Sequence, residues 1–324
     1  MINRDNYHYL YRLSKKTIPF LKKKNRFTFV LNRKEKNDTT NSLLTKKILE
    51  NKPYMVARYG STESRAILNF LLQKNKISEV SAIIKHITGK MNIYWKNHPK
   101  FLNNLVELSG FFPKEEKQLE EFVNLYINES KQLDLLGIWN EYEEFLDVPE
   151  ETKLCKIREL EPWFYDEPWT VALEGKKVLV IHPFEETIKT QYQRKDELYK
   201  NSKILPNFEL KTIKAVQTLA GEKSEFNNWF EALESMKSQM NNIDFDVAII
   251  GCGAYGFPLA AHAKKLGKIG IHLGGVTQLL FGIKGSRWEN WTHYTELRKN
   301  NGKDWVYANE IPKDYKKVEH GCYW

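Results

Sequence analysis

The chain has 324 residues, 41% of them hydrophobic and 13% aromatic, enough to bury a large core and to exclude a disordered chain. No window approaches the roughly eighteen consecutive apolar residues of a spanning helix, and the opening MINRDNYHYLYRLSKK lacks the apolar stretch of a secretory signal, so a cytoplasmic location is expected. The formal charge is +9, but residues 1–40 carry +8 of it, so the body is near neutral and the basic balance gives no reason to expect nucleic acid as a partner.

Residues 1–40 form a basic N-terminal segment. Within it, 15-KKTIPFLKKKNRFTFVLNRK-34 mixes cationic clusters with Ile18, Phe20, Leu21, Phe27, Phe29, Val30 and Leu31. That composition suits an anionic membrane surface, with residues 1–36 holding the protein peripherally at the inner face of the membrane. The alternative is a solvated segment that packs partly on the body. Next, 41-NSLLTKKILENK-52 predicts an amphipathic helix, 53-PYMVARYG-60 a short strand ending in glycine, and 63-ESRAILNFLLQK-74 a helix capped by Ser61 or Thr62. From 78 to 160 the pattern predicts only helices, at 78–88, 99–109 and 114–134, and so a helical insertion at about 76–160 within one domain spanning 41–324.

From residue 175 the pattern alternates. Strands are expected at 176–184, 208–216, 245–251 and 268–274, with helices at 185–199, 224–241 and 257–266 between them. Alternation of this kind implies an α/β fold: a Rossmann-like parallel sheet with helices on both faces. Ligands of such sheets sit at the carboxyl ends of the strands, where several glycines fall here.

Three stretches carry candidate chemistry. In 246-DVAIIGCGAYGFPLAAHAKKLGKIGIHLGG-275, Gly251, Gly253, Ala254, Tyr255 and Gly256 form a strand-to-helix turn that brings backbone N–H groups close to a phosphate. The next strand ends in His272, Gly274 and Gly275 with no acidic residue to hold an adenosine ribose, so NAD is not expected. The competing reading is that the glycines serve close helix-to-sheet packing. In 58-RYGSTES-64, Arg58 suits a phosphate, Gly60 permits a sharp turn, and Glu63 is placed to hold a cation or a sugar hydroxyl, or simply to complement the helix dipole. In 276-VTQLLFGIKGSRWENW-291, Lys284 and Arg287 offer cations near the same sheet edge. His182 is a further strand-end imidazole, and 161-EPWFYDEPWT-170 is either a sugar-stacking platform or a packed linker. Cys155, Cys252 and Cys322 have neither disulfide nor zinc spacing.

The combination of strand-R-Y-G-x-x-E-helix with a late strand-G-x-G-helix-x-x-G-K-x-x-I-x-x-G-G resembles the GT-D fold glycosyltransferases, whose N-terminal motif reads R-F-G-D-G-E. The likeness covers about a fifth of the chain, roughly 53–75 and 244–290. The chain also resembles uncharacterised proteins of bacterial capsule and surface-polysaccharide loci. The resemblance implies a nucleotide-sugar donor, transfer of a hexose to a glycan or lipid-linked acceptor, and Mn²⁺ or Mg²⁺ at the D-x-E acids, which correspond to Ser61 and Glu63. The first acid is a serine here, and one carboxylate with a hydroxyl holds a divalent cation more weakly than two carboxylates. A metal-independent transfer would then rely on Arg58, Lys284, Arg287 and backbone N–H groups. A non-catalytic protein that binds a nucleotide or phosphosugar and scaffolds polysaccharide assembly is the alternative from another class.

Overall fold

A computed structural model describes residues 26–33, 38–74, 81, 85, 100–140, 142–218, 224–289, 291–312, 315 and 321–324. Seven strands form one parallel sheet: β1 (Tyr54–Ala57), β2 (Leu135–Ile138), β3 (Lys153–Lys156), β4 (Lys177–His182), β5 (Glu209–Lys214), β6 (Val247–Ile250) and β7 (Ile269–His272). Their spatial order is β3-β2-β1-β7-β6-β4-β5. The helices that position the site are α1 (Arg26–Asn32), α2 (Asp38–Glu50), α3 (Ser61–Lys74), α4 (Lys100–Ser109), α5 (Glu116–Ser130), α6 (Glu185–Gln193), α7 (Trp229–Asn241), α8 (Gly256–Lys265), α9 (Thr277–Leu280) and α10 (Thr292–Asn301).

The inner strands β1, β2, β4, β6 and β7 are largely apolar because both faces of the sheet are covered, the usual condition of a parallel sheet, whereas the edge strands β3 and β5 carry lysines and stay partly exposed. Alternate residues point to opposite faces. Met55, Ala57, Leu179, Ile181, Ala248 and Ile250 enter one core with α3, α5, α7 and α8. Tyr54, Val56, Val178, Val180, Val247 and Ile249 enter the other with α2, α6 and α10. At the amino edge, carboxylates pin the strand starts: Asp134 accepts from the Met55 N–H at 2.7 Å and Asp246 from the Lys177 N–H at 2.9 Å. The carboxyl edge is left to loops.

Two expectations change. The stretch from 78 to 160 also contributes β2 and β3 to the sheet, with β2 beside β1. Both strands are four residues long, and Gly137 lies inside β2 where it reads as the end of a helix. The helix expected at 78–88 lies, apart from residues 81 and 85, outside the described residues.

The N-terminal segment is also partly structural. Phe27 and Val30, counted toward a membrane-facing surface, are buried in the first core, whereas Phe29 is 72% exposed. The Arg26 guanidinium donates to the carbonyls of Val148, Pro149, Glu150 and Thr152 at 2.7–3.0 Å, and Arg33 pairs with the buried Glu159. The first 25 residues lie outside the described ones. No described helix is long and apolar enough to cross a membrane. Of the aromatic stretch 161–170, Trp163 and Trp169 are buried in the second core, so this part is packed structure.

Candidate functional site

The loops at the carboxyl edge enclose a cleft of about 1080 Å³, its open mouth included. Because β7 lies between β1 and β6, residues near 60 and residues near 250 meet there although they are far apart in sequence. Arg58, Gly60, Ser61, Glu63, Gly251, Gly253, Tyr255, His272, Gly274, Gly275 and Arg287 all line this one cleft. Neighbouring β4 and β6 carry their chains away in opposite directions, β4 to β5 and β6 to β7, a topological switch of the kind at which α/β sheets bind ligands.

Arg58 is the central cation. It follows β1, and its guanidinium lies over the Trp139 ring at 4.8 Å and against Gly274. A Cβ on Gly274 would approach Arg58 Nη1 to 2.9 Å, and the φ of +70° there disfavours any side chain. Among the described residues the guanidinium makes one long hydrogen bond, from Nη2 to the Tyr59 carbonyl at 3.4 Å, and its buried Nε has no partner. No described carboxylate forms an ion pair with it. Burial lowers its proton affinity, while Tyr323, Glu63 and Glu143 act in the opposite direction. Arg58 is half-buried, and its partnerless Nε leaves a donor that an anion would complete.

Glu63 occupies the third position of α3, and its carboxylate folds back over Gly60. A Cβ on Gly60 would sit 1.7 Å from Glu63 Oε2, so only glycine fits beneath it. Burial raises the Glu63 pKa, against the pull of its own backbone N–H, the Ser109 hydroxyl and Arg58. The result is a carboxyl group that keeps its proton longer than an exposed glutamate, the condition of a carboxyl poised for proton exchange.

Two neutral histidines lie deeper. Burial lowers both to about 3, with Arg58 adding to the effect at His272. His182 Nδ1 accepts the Phe184 N–H at 3.0 Å, so the proton of the neutral ring sits on Nε2. His272 has the opposite tautomer, because its Nδ1 faces the Ile250 carbonyl at 3.2 Å and must donate to it. The cleft wall thus contains one imidazole with a donor Nε2 and one with an acceptor Nε2.

Arg287 supplies a second cation, held by a hydrogen bond from Nη1 to the Tyr323 hydroxyl at 2.9 Å and by stacking on that ring at 4.8 Å. Gln278 donates to the carbonyls of Lys284 and Tyr323 at 2.8 and 3.0 Å, tying the C-terminal residues to the cleft. Its buried Oε1 has no partner among the described residues.

Three expected residues do not line the cleft. Lys284 donates its backbone N–H to Val306 at 2.7 Å, and its ammonium lies over the Tyr307 ring at 5.5 Å. Ala254 is buried and gives its carbonyl to the Tyr126 hydroxyl at 2.6 Å. Gly256 makes room for the His272 ring, which a Cβ would approach to 2.1 Å. Gly251 does line the cleft, but its N–H is engaged by the Ile181 carbonyl at 2.9 Å, and a Cβ there would meet Thr277 and His182. The first glycine of the turn therefore serves packing, while the turn at Gly253–Tyr255, with φ +56° at Gly253, opens on the cleft.

Sequence reasoning missed Ser109, Tyr126, Trp139, Glu143, Thr218, Gln278 and Tyr323. Trp139 and Glu143 follow the unrecognised β2. The apolar run 135-LLGIW-139 was the available signal.

The donor set does not suit Mn²⁺ or Mg²⁺. Glu63 is the only carboxylate among the lining residues, a cationic guanidinium lies near it, and no three described His, Cys, Asp or Glu side chains converge to hold a metal ion. Comparison with protein-family models, curated proteins and solved structures finds no match for this chain.

Proposed function

We propose that this protein is a glycosyltransferase of GT-D type that takes a nucleotide-diphosphate sugar as donor and a surface glycan, free or lipid-linked, as acceptor. The observation that carries this reading is the meeting of Arg58 and Glu63 with the turns after β6 and β7 around one cleft, with no described carboxylate in an ion pair with Arg58 and its Nε without a described partner. A diphosphate satisfies such a guanidinium through two directed hydrogen bonds. It also fits against the turn at Gly253–Tyr255, where the φ of +56° at Gly253 brings the backbone onto the cleft.

In the transfer, the bond between the anomeric carbon and the diphosphate oxygen breaks as an acceptor hydroxyl forms a new bond to that carbon. Negative charge grows on the leaving diphosphate, and Arg58 and Arg287 stabilise it there. Glu63, once ionised, takes the proton of the acceptor hydroxyl. Its raised pKa makes it a stronger base than an ordinary glutamate. Burial of these groups in a shaped cleft strengthens each electrostatic contact relative to water.

The lack of a second carboxylate beside Glu63 favours one other reading, a binding protein that holds the same ligand without turnover. Incubation with UDP-, GDP-, CMP- and dTDP-sugars separates the two. A transferase slowly hydrolyses its correct donor even without acceptor, and Glu63→Gln abolishes that hydrolysis while the donor still binds. A scaffold binds and releases its ligand intact. The transferase reading fails if every donor that stabilises the protein is recovered unchanged, with and without glycan acceptors.

A further inference from the structure

Trp139 lines the cleft and combines exposure with fixation. It is 41% exposed yet immobilised. Its indole Nε1 donates to the Tyr59 carbonyl at 2.8 Å, and its backbone N–H donates to Glu143 Oε2 at 2.9 Å. The same carboxylate takes the Asn140 N–H and the Asn140 side-chain amide, both at 3.1 Å. Glu143 is fully buried, so this clamp lies beneath the loop and leaves the indole on the cleft wall. An exposed aromatic ring fixed before any ligand arrives loses little side-chain entropy on binding, which is how a preorganised stacking surface is built.

Its place in the sheet gives the ring a direction. The cleft crosses the ends of β2, β1, β7, β6, β4 and β5 in that order. Arg58 and the turns after β7 and β6 occupy the middle, where the diphosphate is assigned. Trp139 lies on the β2 side with the Arg58 guanidinium over one face of its ring at 4.8 Å, which leaves the opposite face for a ligand. The β4 and β5 side offers polar groups instead: the His182 Nε2–H, Gln217 and Thr218, whose hydroxyl donates to the Gly110 carbonyl at 2.6 Å. A flat base needs a stacking surface, and a sugar needs partners for its hydroxyls.

Resting on the diphosphate reading above, we propose that Trp139 is the stacking platform for the nucleobase of the donor, and that the sugar extends to the opposite side, toward His182 and Thr218. Glu143 is the positioning residue that holds the platform in place.

The test compares pyrophosphate with UDP, GDP and dTDP by calorimetry, on wild type, Trp139→Ala and Trp139→Phe. In the wild type one nucleoside diphosphate binds at least roughly tenfold more tightly than pyrophosphate. Trp139→Ala brings that ratio to within about twofold, because the base contributes nothing further, whereas Trp139→Phe keeps most of it. Equal losses for pyrophosphate and nucleotide in Trp139→Ala overturn the proposal, since they make Trp139 only a support for Arg58. An unchanged ratio also overturns it. If wild type binds pyrophosphate but favours no nucleotide, the diphosphate reading survives and the platform does not. If wild type binds none of these ligands, both fall.

Discussion

Two arginines of this chain have opposite surroundings. Arg26 places its guanidinium among four backbone carbonyls of the 148–152 loop and so fastens α1 to the body. Arg58 lies at the cleft with one long hydrogen bond and an Nε that has no partner among the described residues. The same functional group is thus complete in one region and open in the other. The difference separates an arginine that holds the fold together from one whose donors, on the diphosphate reading proposed above, are there for an anion.

The comparison breaks first on substitution. Arg58→Ala is expected to weaken pyrophosphate and nucleotide-diphosphate binding by about 100-fold, or roughly 2.7 kcal/mol, while changing unfolding free energy by less than about 1 kcal/mol, because the half-buried guanidinium makes no described ion pair and only one long described hydrogen bond. Arg26→Ala should do the reverse, costing about 1–3 kcal/mol in chemical denaturation and leaving ligand affinity within about twofold. Gly274→Ala lies between them. Its positive φ and the 2.9 Å approach to Arg58 Nη1 predict a loss of about 1–2 kcal/mol in stability together with roughly tenfold weaker binding, since the guanidinium is displaced.

A smaller effect should appear with pH. The folded Glu63 holds its proton more tightly than the unfolded one. Its contribution to stability is therefore complete below the ordinary glutamate value and is lost as pH rises through the raised folded value. A nucleotide-diphosphate sugar, whose phosphates stay ionised across this range, should bind more weakly as Glu63 becomes an anion, while turnover rises because the base is then available. Glu63→Gln should flatten the binding profile, as titrations from acidic to alkaline pH would show. The smallest effect belongs to Lys284→Ala, which should change affinity by less than about twofold because that ammonium lies over Tyr307.

The two arginines also mark how far sequence reasoning reached. β1, β4, β5, β6 and β7 were legible because short strand-like runs bounded by glycine or proline have few other solutions. Arg58, Glu63 and the Gly253 turn were legible for the same reason, as strand-end residues. Their meeting in space was not, because periodicity says nothing about strand order, and it is the place of β7 between β1 and β6 that brings them together. β2 and β3 were lost because four-residue strands between helices carry too short an alternation. With β2 went Trp139 and Glu143. The anchoring role of Arg26 was hidden by its neighbours, since in a basic segment one arginine reads like another until its carbonyl partners are seen.

The most direct test of the central claim is calorimetric titration of pyrophosphate into the wild type and Arg58→Ala, with the unfolding free energy of each measured alongside. The open guanidinium predicts binding by the wild type, a loss of about 100-fold in the variant, and nearly equal stabilities. Equal affinities, or a variant destabilised as strongly as Arg26→Ala, would show that Arg58 belongs to the fold and not to the ligand.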